Sequence, residues 1–172
     1  LSEVPPRHLM VEEEVEVPFA ISGLVEVNPH FYMFAGDQNF TSGPGHLKLF
    51  SNLTSGTTYL IANEYVAMER VQGKRGVVQA IAQMRAEDDL WMVLEATHLR
   101  VFEELAESGV MIPEEVLKVI AMDVLVGLDS MHSVNLIHRD MRLGNLCLSV
   151  GDDGGCEVKV RVSAAVFVGP KG

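Results

Sequence analysis

Basic residues are scarce in this chain. Thirteen Lys and Arg stand against 24 Asp and Glu, for a formal net charge of -11 and an isoelectric point near 4.9. That balance argues against a nucleic-acid partner, because phosphate backbones are gripped by clustered cations, and Lys74-Arg75 is too small a cluster. Anionic lipid is disfavoured on the same ground. There are two cysteines, Cys147 and Cys156. They are too few for a disulfide framework and read as two separate thiols. No apolar run reaches the ~18 residues of a membrane-spanning helix. The six histidines have no pairing at metal-ligand spacing, and the nine methionines read as gap-fillers in cores or interfaces. No intact signal or transit peptide is recognisable, nor an internal repeat.

What is present is apolar bulk. With 172 residues and 48% hydrophobic content, the chain suffices for one domain or two small lobes. The most informative stretch is Leu136-Ile137-His138-Arg139-Asp140-Met141-Arg142-Leu143-Gly144-Asn145-Leu146-Cys147-Leu148. It sets an aspartate and an asparagine in a loop flanked by apolar anchors. Asp140 has the chemistry of a base that accepts a proton from a hydroxyl. Asn145 has the chemistry of a metal-facing amide. Taken alone, His138-Arg139-Asp140 is a short motif that a surface turn can also contain.

Its surroundings add weight. Upstream, Leu117, Ile120, Val124, Leu128 and Met131 recur at helical steps, so residues 114–132 are expected to form a helix. Pro113 suits its start, and Glu114 and Glu115 suit the positive end of its dipole. Leu90–Glu95 reads as a strand, and Leu99, Phe102 and Leu105 share a helical face that Gly109 ends. Downstream, residues 146–150 and 157–162 read as strands joined by the turn Gly151-Asp152-Asp153-Gly154-Gly155. The order strand, short helix, long helix, H-R-D loop resembles the hinge and first C-lobe helices of a protein kinase, and "GLDSMHSVNLIHRD" is similar to that family's helix-to-loop passage.

The resemblance implies an α+β, protein kinase-like fold with a β-rich N-lobe and a truncated helical C-lobe. It implies three segments: 1–46 as an N-terminal extension that adds strands, 47–95 as N-lobe-like, and 96–172 as truncated C-lobe-like. Leu47–Leu53 and Tyr59–Ala62 are expected as strands about a turn at 54–58, with Glu64–Val71 in the place of the V-A-I-K strand and 77–84 as the first helix. On that alignment Asp140 takes the base position, with His138 and Arg139 beside it, and Asn145 one metal position. Gly56 is what remains of the glycine loop. Glu69 stands at the lysine position and Ala164 at the metal-bridging aspartate position.

Phosphoryl transfer needs the lysine and the metal-bridging carboxylate, so the resemblance implies a pseudokinase that binds neither ATP nor magnesium. Its role would be that of a structural or protein-binding subunit, with one or more protein partners in a larger complex. The chain stops just past the D-F-G-equivalent strand, which leaves helix 114–132 short of cover. The alternative is an active or nucleotide-binding phosphotransferase using Asp140, Asn145, ATP and magnesium. Another cation, Lys159 or Lys74 by type, would then replace the lysine.

Overall fold

The computed structural model describes residues 21–28, 31–36, 45–50, 55–86, 89–151 and 153–170. The acidic segment 11–17 lies outside them. The N-terminal half is built on a five-stranded antiparallel sheet of β1 (Ile21–Asn28), β2 (Phe31–Gly36), β3 (Gly45–Phe50), β4 (Ala80–Ala86) and β5 (Asp89–Glu95). The spatial order is β1-β2-β3-β5-β4. The segment expected as an extension therefore supplies β1 and β2, and the sheet begins at Ile21 rather than at residue 47.

Between β3 and β4 runs α1 (Ser55–Arg70). This corrects the expectation of strands over 59–62 and 64–71. Thr57, Thr58, Ile61 and Val66 lower helix propensity, but tertiary packing overrides so weak a preference. Ile61, Glu64, Ala67, Met68 and Val71 are all buried, and their steps of three and four define one inward helical face. The first helix is thus residues 55–70. Most of 77–84 falls instead in β4 and the bridge that precedes it, where Val77 pairs with Val160.

The C-terminal half carries α2 (Val101–Ser108), α3 (Glu114–His132), β6 (Leu136–Ile137), β7 (Leu146–Val150), β8 (Cys156–Val160) and β9 (Phe167–Val168). The helices fall where periodicity places them, and Gly109 ends α2 with φ 69°. β7 pairs with β8 across the Gly-rich turn, with Cys147 opposite Lys159 and Cys156 opposite Val150. The two cysteines are not joined to each other, as that register requires. Helix α3 lies against β8 through a close approach: a Cβ built on Gly127 would sit 2.3 Å from the carbonyl oxygen of Gly76. The halves join where the loop after α1 meets β8. There the Val160 N–H donates to Gly76 O at 2.8 Å, and Val78 N–H donates to Val160 O at 3.0 Å. Strands are concentrated before residue 96 and helices after it, an α+β arrangement.

On α3 the expected inward stripe is graded. Met131 is buried, Ile120 and Val124 pack against the core at half burial, and Leu117 is exposed. Val116, Val119, Met122 and Leu125 are also exposed, so this helix presents apolar side chains to both sides.

Candidate functional site

The segment from β6 to β8 folds as one hydrogen-bonded unit. His138 is buried and its Nε2 lies 2.9 Å from the carbonyl oxygen of Arg161, while the Asp140 N–H donates to His138 Nδ1 at 3.2 Å. The two contacts fix the neutral tautomer, with Nε2 the donor and Nδ1 the acceptor. Burial lowers the His138 pKa, and the Arg161 charge adds to this. The Arg161 carbonyl contact and the Asp140 charge act the other way.

Arg139 holds φ at 62° and donates from Nε to Ala165 O at 3.0 Å. Its guanidinium lies 5.6 Å from the Phe167 ring centroid, within cation–π range. The H-R-D stretch is therefore bonded to the segment that follows β8, through Arg139 to Ala165 and through His138 to Arg161.

Asp140 keeps a carboxylate about a third exposed (36%), with Arg142 Nε at 3.5 Å. Asn145 is buried beneath it. Its Nδ2 donates to Asp140 O at 2.7 Å and to Asp140 Oδ2 at 2.8 Å. The Asn145 Oδ1 accepts from Arg161 Nη2 at 3.2 Å, and the same nitrogen donates to Gly144 O at 3.1 Å. Both ends of the Asn145 amide are thus engaged within the protein. Arg161 is 6% exposed.

In the sheet half, Lys48 of β3 and Glu64 of α1 form a buried ion pair, with the Lys48 ammonium bonded to Glu64 Oε1. Lys48 is 2% exposed and Glu64 is 1% exposed. His46 lies two residues before Lys48, on the same face of the strand. Its pKa is lowered, chiefly by burial, against a backbone contact at Glu95 that raises it; Arg161 and His98 lower it further. The Arg161 charge therefore acts on His46 and His138 alike.

Residues 48–161 match the family model described as "Protein kinase domain". The chain belongs to the protein kinase domain family. Its fold is accordingly protein kinase-like, as the H-R-D passage implies. The chain is 32% identical over 74 residues to "Serine/threonine-protein kinase 4 homolog A" of Dictyostelium discoideum, a match covering 42% of this chain and 16% of that protein. It is 29% identical over 85 residues to "Serine/threonine-protein kinase pakF" of the same organism, covering 49% of this chain and 7% of that protein. The match spans only a small part of each relative.

Within a kinase-family chain, a lysine on the third strand paired with a glutamate on the first helix is the ion pair that positions nucleotide phosphates. Lys48 and Glu64 have that placement, and sequence reasoning missed both. Glu69, expected at the lysine position, is exposed near the end of α1 and is not on a strand. Gly56 lies in the first turn of α1 and not in a phosphate-covering hairpin. In the antiparallel pair of β1 and β2, Asn28 lies opposite Phe31, and the sequence between these two residues has no glycine. The signal available for Lys48 was a lysine between apolar neighbours, Leu47-Lys48-Leu49, with a glutamate sixteen positions on.

His138, Arg139, Asp140 and Asn145 do come together. Ala164 lies between β8 and β9 at half burial. Counting directly from β8, Val162 and Ser163 come before it, and none of residues 158–170 is an aspartate or glutamate. Lys159 binds Glu95 Oε2 at 2.8 Å, and Lys74 is exposed in the loop after α1. The lysine paired with Glu64 is Lys48. Among the described residues, no group of three His, Cys, Asp or Glu side chains is placed to hold a metal ion, and no helix is long and apolar enough to cross a membrane.

Proposed function

We propose that this chain is a kinase-family domain that works by binding and does not transfer phosphoryl groups. One observation carries the reading: the Asn145 Oδ1, the oxygen suited to a metal, is bonded to the Arg161 guanidinium, while residues 158–170 supply no carboxylate to bridge a metal to phosphate. The magnesium that the family's chemistry implies does not fit this donor set. A cation already satisfies the amide oxygen, and a second cation beside it would be repelled.

The partner is proposed to be a protein. The apolar side of α3 carries Val116, Val119, Met122 and Leu125, each 47–61% exposed. A patch of that kind is characteristic of an interaction surface. The domain would serve as a structural or binding subunit of a larger complex.

A second reading has its own support. The Asp140 carboxylate stands ready as a base, and the Lys48–Glu64 pair is assembled. Both suit an active phosphotransferase. A transfer assay separates the two. Wild-type protein and Asp140→Asn are incubated with labelled ATP, magnesium and a generic acceptor. Equal background incorporation supports the binding reading, and incorporation that Asp140→Asn removes overturns it.

A further inference from the structure

Lys74 and Arg75 stand apart from the other cations of the chain. Every other Lys or Arg whose side chain is described is ion-paired or bonded to a carbonyl oxygen. Lys74 and Arg75 are exposed and have no ion-pair partner among the described residues, in a chain of net charge -11. The loop that carries them is held firmly. The Gln79 side chain donates from Nε2 to Lys74 O at 3.1 Å and to Val77 O at 2.9 Å, and its Oε1 accepts from the Gly73 N–H at 2.6 Å. Two glycines with left-handed backbone, Gly73 at φ 74° and Gly76 at φ 69°, bracket the pair. Gly76 is also the residue seated against Gly127 of α3.

Between this loop and α3 lies an open groove of about 520 Å3, whose lining includes Lys74, Arg75, Met122, Leu125, Asp129 and Ser130. No residue of the H-R-D loop lines it. Met122, Leu125 and Asp129 follow one another at steps of three and four, so they share one face of the helix. One wall is therefore apolar and the other cationic. The apolar wall alone would accept any hydrophobic chain. The two unpaired cations restrict the choice to a ligand that brings carboxylates. A second copy of this chain is a poor occupant, because two bodies of net charge -11 repel each other.

We propose that this groove docks a short segment of a partner protein in which acidic residues flank a large apolar side chain. The inference rests on the reading that the domain works by binding, and it gives that partner a place and a sign of charge. The apolar side chain covers Met122 and Leu125, and the carboxylates pair with Lys74 and Arg75. The Asp129 carboxylate accepts an N–H of the same segment. Exposed ion pairs are individually weak, so the apolar contact supplies most of the affinity and the cations supply the selection. Loop and helix are fixed in advance, which leaves little ordering cost on this side of the interface.

The test is fluorescence polarisation of the whole chain with two labelled peptides, one of repeating Leu-Glu-Glu-Leu units and one of Leu-Gln-Gln-Leu units. The acidic peptide should bind more tightly than its neutral counterpart, against the overall charge of the chain. Lys74→Glu with Arg75→Glu should weaken the acidic peptide by roughly tenfold and leave the neutral one unchanged. Both positions are exposed, so an unchanged melting temperature is the control for folding. Leu125→Ala should weaken both peptides. Equal binding of the two peptides, acidic binding that survives the charge reversal, or no binding of either overturns the inference and leaves the binding reading standing. Self-association that the charge reversal abolishes would give the groove to a second copy and overturn it as well. Transfer of phosphate that Asp140→Asn removes overturns the reading beneath it.

Discussion

The Oδ1 of Asn145 accepts a hydrogen bond from the Arg161 guanidinium at 3.2 Å, while the Nδ2 of the same side chain donates to Asp140. Asn145 is therefore a clamp between a cation and a carboxylate. A metal ligand on a loop can be replaced with little effect on folding, whereas a buried clamp cannot.

Asn145→Ala should accordingly destabilise the chain by about 2–3 kcal/mol, because hydrogen bonds to charged groups are lost and Arg161 keeps a buried donor. Chemical denaturation measures this. Asp140→Ala should cost less, roughly 1 kcal/mol, since its carboxylate is partly hydrated. A wild-type midpoint for Asn145→Ala would mean that the amide is not structural.

Lys48 and Glu64 form the other buried polar pair. Lys48→Met strands a carboxylate that is 1% exposed and should cost about 3–5 kcal/mol, while Lys48→Met with Glu64→Leu should recover most of the loss. For a chain of this size each kcal/mol moves Tm by about 2–4 °C, so thermal melts resolve the cycle. Additive losses would show that the two side chains do not act as a pair.

Protonation of His138 should destabilise the fold. The folded pKa is held below 6.5 by burial, and protonating Nδ1 would set a proton against the Asp140 N–H. The unfolded chain then binds more protons than the folded one as pH falls below the ordinary histidine value. His138 therefore contributes fully above about pH 6.5. Its contribution declines on acidification until the folded pKa is reached. His46 acts in the same direction. Melting temperature should fall between neutral and mildly acidic pH, and the part due to His138 should vanish in His138→Gln. The same pH dependence in that variant would assign the effect elsewhere.

The H-R-D loop and its neighbours were legible because their signals are local. Helix α3 shows its period over five turns, the β7–β8 hairpin has a glycine-rich turn, and the loop's aspartate and asparagine are five positions apart. The sheet half was not legible in register. Residues 55–66 contain Thr57, Thr58, Ile61 and Val66, which favour strands, and only packing of the face at Ile61, Glu64, Ala67 and Met68 makes them helical. Reading that helix as two strands moved the lysine position from Lys48 to Glu69. Arg161 carried no sequence signal, because its role follows from a tertiary contact with Asn145. Glu69→Lys, a charge reversal on an exposed helical position, is expected to leave nucleotide affinity unchanged.

The outer side of α3 should drive association. Met122 and Leu125 are 61% and 58% exposed, and removing such apolar area from water is worth about 25 cal/mol per Å². In isolation the chain should elute above monomer size by light scattering and bind a hydrophobic dye. Met122→Lys with Leu125→Glu should reduce both. A dye-silent wild-type monomer would refute a sticky α3.

The central claim is that Arg161 excludes a divalent cation from Asn145, and Mn2+ titration followed by electron paramagnetic resonance tests it most directly. With nucleotide present, the Mn2+ signal should remain that of the nucleotide complex in solution, whether or not the protein is added. A protein-bound signal that disappears in Asn145→Ala would contradict it.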